Sequence, residues 1–251
     1  MASPLEYEHW LPLLGLPLAV RTNSRALSEA LDRELPLGDW AHLPTELIES
    51  VPTLQIDVLL AEATGQIGDL RLFRHGPTAL AGDGSRLLLS QADRGYGLAC
   101  LPPDALGDAI TAIWELGALL ARAHGRTPVR SAALAHAGRA ALLIGEGCGP
   151  LLDACVGRGM RLLSRGVVHV SDGAGGLQIW GDGAGGDLLR CAGPATVLLV
   201  GRGAGRASQI APLPVVALDV LGDLTGLVRA AYRLQAGDDL GMAAALVAHV
   251  A

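Results

Sequence analysis

The chain has 251 residues, half of them apolar, with only 3 % aromatics and a formal charge of −6 at pH 7. That supports one large domain or two small ones around a core of Leu, Val, Ile and Ala. No basic stripe and few stacking aromatics accompany the acidic balance, which excludes a nucleic-acid binder.

The first apolar stretch, Trp10 to Val20, follows Glu6 and Glu8 and is broken by Pro12 and Pro17, so it does not read as a signal peptide. It reads either as a docking or homo-oligomer contact or as a strip laid across the chain's own core. Asn23 or Ser24 can cap a helix running to about Leu35, and a polar, Pro-containing link spans Pro36 to Pro52. LQIDVLL, DLRLFRHG, TALAGDG and SRLLLSQ then form short apolar runs. Gly65, Gly76-Pro77 and Asp83-Gly84 punctuate them, which predicts an antiparallel meander, extended by Tyr96 to Leu101.

Pro103-Asp104 opens the longest helical pattern, with Ile110, Ile113, Trp114, Gly117 and Leu120 on one apolar face. Two strands follow, PVRSAALAHAG and RAALLIGE, joined by a turn at Ala137-Gly138. The stretch LLIGEGCGPLLDACVGRG, Leu142 to Gly159, has the outline of a strand, a glycine loop and a short helix. RLLS and VVHVS read as strands. DGAGG occurs at both Asp172 and Asp182; two copies without a nonapeptide period read as hairpin turns rather than a calcium-binding β-roll. ATVLLVG is a strand and RGAGRASQ a loop, and two helices close the chain, about Leu221 to Gln235 and Asp238 to Val250.

All nineteen basic residues are arginine, so any activity must proceed without a Schiff-base lysine or a P-loop ammonium. Four cysteines form no CxxC pair and seven histidines no HExxH spacing, so neither a metal nor a disulfide framework is expected. No uncharged run reaches the length of a membrane span, and a soluble cytoplasmic protein is expected.

From Arg126 onward the chain resembles the HPr kinase/phosphorylase-like family of P-loop kinases. The likeness lies in VRSAALAHAGRAALLIGEG and DACVGRGMRLLSRGVVHV, through Gly145, Arg158-Gly159, Arg161-Leu162-Leu163 and Val167-Val168. The resemblance implies an α/β fold, a mixed sheet with packed helices and a P-loop core like that family's C-terminal domain. On this reading residues 104–251 are the core and residues 1–103 an N-terminal helix and meander. The departures fall on the chemistry. Gly145, Gly147, Cys148 and Gly149 stand in the loop without the family's Lys-Ser/Thr pair, and Pro150 removes a backbone N–H. Arg165 and Gly166 replace the expected aspartates, one a metal ligand and one a base, and Arg130 stands where a histidine is often found.

The implied protein is a catalytically inactive pseudokinase without a cofactor, acting through a protein or peptide partner or as an assembly subunit. Arg130, Arg165, Arg202 and Arg206 would make a vacated pocket cationic, which suits a Mg²⁺-independent nucleotide or anion sensor. IGEGCG also matches a methyltransferase G-x-G-x-G, with Asp172 as the ribose-binding acid. Cys148 at a helix start is a candidate reactive thiolate or a small residue in a tight turn, and Cys155 is a core residue.

Overall fold

The computed structural model describes residues 5–34, 53–62, 68–69, 71–145, 148–173, 176–181, 191–203, 207–214 and 219–251. Arg206, Gly147, the link from Pro36 to Pro52 and the second DGAGG lie outside them. The fold is α/β with mixed sheets and packed helices, in two units, Met1–Arg126 and Thr127–Ala251.

The first unit holds β1 (Tyr7–Leu13), β2 (Leu16–Thr22), α1 (Arg25–Glu34), β3 (Leu54–Leu60), β4 (Arg71–His75), β5 (Thr78–Gly82), β6 (Leu87–Gln91), β7 (Tyr96–Leu101) and α2 (Leu106–Ala123). Its sheet runs β1-β2-β3-β7-β6-β5-β4. The Trp10–Val20 stretch is the β1–β2 hairpin, turned at Leu14 and Gly15, both at positive φ. Leu11, Leu13, Leu16, Leu18 and Val20 are buried, so it is core rather than a free docking strip.

Ser24 caps α1, its hydroxyl accepting from the Leu27 N–H at 3.3 Å. Asn23 is used differently, bonding both backbone groups of Leu60. LQIDVLL is not the first strand of a meander. β3 lies parallel between β2 and β7, and its Leu54, Ile56, Asp57 and Val58 are buried from both faces, as in a central strand. Only β4 to β7 form the antiparallel meander.

The long helix belongs with this sheet rather than with the region after residue 103. Ala109, Ala112, Ile113, Leu116, Gly117, Leu120 and Ala121 are buried, packed over β3, β6 and β7. The unit therefore ends at Arg126, not at residue 103. Among the described residues no helix is long and apolar enough to cross a membrane.

The second unit holds β8 (Thr127–Arg130), β9 (Ala132–His136), β10 (Arg139–Ile144), α3 (Cys148–Gly157), β11 (Arg161–Ser164), β12 (Val167–Gly173), β13 (Gly176–Trp180), β14 (Cys191–Ala192), β15 (Ala195–Arg202), β16 (Gln209–Pro212), β17 (Ala230–Ala236) and α4 (Leu240–Val250). A six-stranded sheet runs β11-β9-β10-β15-β17-β16 and a four-stranded one β14-β13-β12-β8.

The two sheets share one core, through Ala140, Leu142 and Val197 on one side and Val168, Val170, Leu177 and Ile179 on the other. The opposite face of the six-stranded sheet, with Leu134, Ala141, Leu143 and Leu198, carries α3 and α4 through Leu151, Leu152, Cys155, Ala243, Ala244 and Val247. The first DGAGG is a hairpin connection, Gly173 facing Gly176 across β12 and β13.

The expected helix over Leu221 to Gln235 is not formed. Asp219–Leu227 is a 3-10 segment broken at Gly222 (φ 51°, ψ −126°), and Ala230–Ala236 is strand β17. Pairing on both sides, parallel to β15 and antiparallel to β16, overrides the helical spacing of its apolar residues. The last helix forms as expected, capped by Asp239, which accepts from the Met242 N–H at 3.0 Å.

Candidate functional site

β10, β15 and β17 are mutually parallel, and β11 shares their direction because each neighbours β9 in antiparallel fashion. Their carboxyl ends therefore lie along one edge of the sheet, the edge outside which open α/β sheets bind ligands. In sheet order this edge carries Arg165-Gly166, then Ser131 at the entry to β9, Gly145, Arg202, and Gly237-Asp238. A cleft of about 810 Å³ opens there. Val200 to Gly203 after β15, Ala236 to Asp238 after β17, Pro150 of α3 and Leu240 of α4 line it.

Gly145 has a packing reason to be glycine. Its φ is +141°, and a Cβ there would collide with the Val200 carbonyl oxygen. The first loop glycine thus allows close approach to the neighbouring strand, a task independent of any phosphate. α3 spans Cys148–Gly157, and Cys148 is its first described residue. The Cys148 thiol donates to the Gly145 carbonyl at 3.3 Å, and burial pushes its pKa up, against a reactive thiolate. Burial pushes the Cys155 thiol up to about 11 in the core, as its position predicts. Gly149 is exposed in the first turn of α3, with open space where a Cβ would stand.

Of the four arginines expected in the pocket, Arg202 lines the cleft. Arg165 is turned to the outside of α3, donating to Asp153 at 2.9 Å in an exposed pair. Arg130 is exposed on β8, opposite Val167. Neither belongs to the cleft lining, although the Ser131 N–H bonds the Gly166 carbonyl at 2.9 Å and keeps the two turns adjacent. Asp238 is the carboxylate on the lining, so Arg202 does not face a purely cationic pocket. Asp172 is on β12 in the four-stranded sheet, away from the strands beside the glycine loop, so it does not reach the place of a ribose-binding acid. Among the described residues no group of three or more His, Cys, Asp or Glu is set to hold a metal ion.

The sequence reading missed two polar constellations in the first unit. His9 Nε2 lies 2.8 Å from the Ser28 hydroxyl, and Nδ1 lies 3.2 Å from Asp32 Oδ1. The order is that of a nucleophile, a base and an orienting acid. Yet Ser28 is 9 % exposed and His9 8 %, both in the seam between α1 and β1, where no substrate carbonyl can approach the hydroxyl. The chain of bonds fastens helix to strand.

The second constellation surrounds Asp57. Arg21 donates to both of its oxygens at 2.8 and 2.7 Å, Gln55 at 3.0 Å and Tyr96 at 3.1 Å. Burial alone would raise this carboxyl, but the bonds from Arg21, Gln55 and Tyr96 outweigh it and hold its pKa below the usual range. Burial and the Asp57 charge push Tyr96 up. A signal for this cluster was present in LQIDVLL, because an aspartate inside an apolar strand requires a cationic partner.

No protein-family model matches the chain, and no curated protein matches it.

Proposed function

We propose that the chain is a catalytically inactive relative of the HPr kinase/phosphorylase-like kinases that acts by holding a protein or peptide partner. The observation that carries this reading is the connection between β10 and α3. Its first glycine, Gly145, is pressed against Val200, and Pro150 withholds an N–H from the helix's first described turn. A connection fastened at its first glycine and followed by a proline has fewer backbone N–H groups to turn toward a phosphate. Support also comes from the chemistry absent from the sequence. The chain has no lysine, and Arg165-Gly166 stand where the family's aspartates would hold Mg²⁺ and take the hydroxyl proton.

The test is the purified chain with Mg²⁺-ATP. The expected result is no ATP turnover, a melting temperature unmoved by ATP, ADP or S-adenosylhomocysteine, and a discrete partner recovered by crosslinking in its native cells. ATP turnover would overturn the reading. A second reading, a Mg²⁺-independent nucleotide or anion sensor, is favoured by the open cleft beside Arg202. It predicts a rise in melting temperature with ADP or phosphate that does not depend on Mg²⁺, since a ligand bound only to the native state stabilises it.

A further inference from the structure

We propose that β4, the outer strand of the first unit's sheet, is a β-addition site for an extended segment of a partner protein in which two adjacent apolar residues are flanked on each side by an acidic one. The inference rests on the reading that the chain acts by binding a protein, and makes no use of the state of the glycine loop.

All five residues of β4 are exposed, Leu72 at 77 % and Phe73 at 61 %. Phe73 is the chain's single phenylalanine, and it is spent on the surface. The inner side of β4 pairs with β5 without a break, from Arg71 opposite Gly82 to His75 opposite Thr78. Its outer side has no strand beside it among the described residues.

Every other outer strand of the three sheets is guarded. β1 contains Pro12 and β8 contains Pro128, β16 ends at Pro212, β14 has only two described residues, and β11 shifts register between Leu162 and Ser164. Prolines, short strands and bulges are the usual devices against unwanted strand pairing. β4 has none of these three; its guard is charge alone, Arg71 and Arg74, which repels a like-charged strand but not an acidic one. Among the described outer strands it alone presents two large exposed apolar side chains.

Charge selects the occupant. Alternation puts Arg71, Phe73 and His75 on one face of the strand and Leu72 and Arg74 on the other. Arg71 and Arg74 form no ion pair with the described residues, and the adjoining β5, TALAG, carries no carboxylate. A second copy paired along β4 would crowd four arginines onto one ribbon. A strand reading acid-apolar-apolar-acid would instead place a carboxylate beside each guanidinium, one on each face, with the backbone supplying affinity and the two apolar residues covering Leu72 and Phe73.

The test selects binders of the full chain from a random peptide library on phage, then measures fluorescein-labelled selected peptides by anisotropy. The expected winners are extended peptides in which a pair of adjacent apolar residues is flanked by acidic residues. Their binding should fall about tenfold or more in the R71E/R74E variant, which melts like the parent, and return when the peptide's acids become arginines. N-methylation of alternate peptide amides should abolish binding, because the contact is a backbone ladder. Peptides that bind the R71E/R74E variant undiminished would overturn the β4 assignment while leaving the partner-binding reading intact. A library that yields no binder would overturn both. A dimer in sedimentation that R71E/R74E dissolves would make the occupant a second copy and overturn the acidic-partner assignment.

Discussion

In the first unit the central strand β3 carries Asp57, 6 % exposed, and four hydrogen bonds from Arg21, Gln55 and Tyr96 converge on it. In the second unit the central strand β10 runs from Ala140 to Ile144 without a polar side chain and ends at a glycine pressed against its neighbour. One strand fixes its place by a charge that must be matched, the other by a backbone approach that tolerates no side chain. A part-buried pair of this kind holds register but adds little net stability over apolar packing. Close packing of backbone on backbone leaves no room for substitution. The difference also bears on function. Charge held this tightly is structural, whereas Arg71, Arg74 and Arg202, at a strand edge and a strand end, pair with no described carboxylate and are placed to meet a partner.

The sharpest way to break the comparison is Gly145→Ala. The added Cβ meets the Val200 carbonyl and must also occupy a φ of +141°, so we expect a loss of about 3 kcal/mol or more in urea unfolding. Unchanged stability would mean that β10 and β15 do not close on one another, and that the glycine serves a ligand after all. Asp57→Ala is next, with an expected loss of about 2–3 kcal/mol because Arg21 and Tyr96 keep their polar groups without the acceptor. The double variant Arg21→Met with Asp57→Leu should recover much of that loss. A double variant as unstable as the single one would show that the cluster does more than hold register.

The elements with local causes were legible in the sequence. The capped helix at Ser24, the hairpin turn at Ala137-Gly138 and the strand-loop-helix at Leu142 to Gly159 follow from residues close together in the chain. What was not legible depends on distant partners. β17 carries helical spacing but is flanked by β15 and β16, and β3 becomes central only because β2 and β7 reach it. The long helix was assigned to the wrong side of the boundary for the same reason, since nothing in its own residues says which sheet its apolar face will cover. At the candidate site the glycines were found, but Arg130 and Arg165 were expected in a pocket that their strands and the Asp153 carboxylate keep them out of. Side-chain direction at a sheet edge is set by neighbouring strands, which spacing along the chain does not encode.

Acid sharpens the same contrast. The folded-state pKa of Asp57 lies below the ordinary 3.8, and that of Asp83 is held down by Ser85 and Arg86. In each case the unfolded chain takes up protons first as pH falls. Their contribution is therefore complete above about pH 5 and is lost progressively as pH drops through 3.8 and on through the folded-state values. Unfolding midpoints should be level with respect to these groups between neutral pH and pH 5 and decline below it. Asp57→Asn should make the acid decline shallower. An equally steep decline in that variant would place the acid sensitivity elsewhere.

The smallest effect is expected where a charge pair looks most orderly. Arg165 and Asp153 meet at 2.9 Å, yet their side chains are 58 % and 67 % exposed. Solvent and salt screen such a pair, so Arg165→Ala should change stability by about 0.5 kcal/mol or less. The measurement matters because Arg165 stands where the resemblance expects an aspartate. A loss as large as that of Asp57→Ala would mean that the arginine has become a structural anchor and that the edge of the second unit is built like the first. A null effect on stability leaves Arg165 as a solvated cation at a strand end, able to exchange Asp153 for a carboxylate on another molecule at little cost.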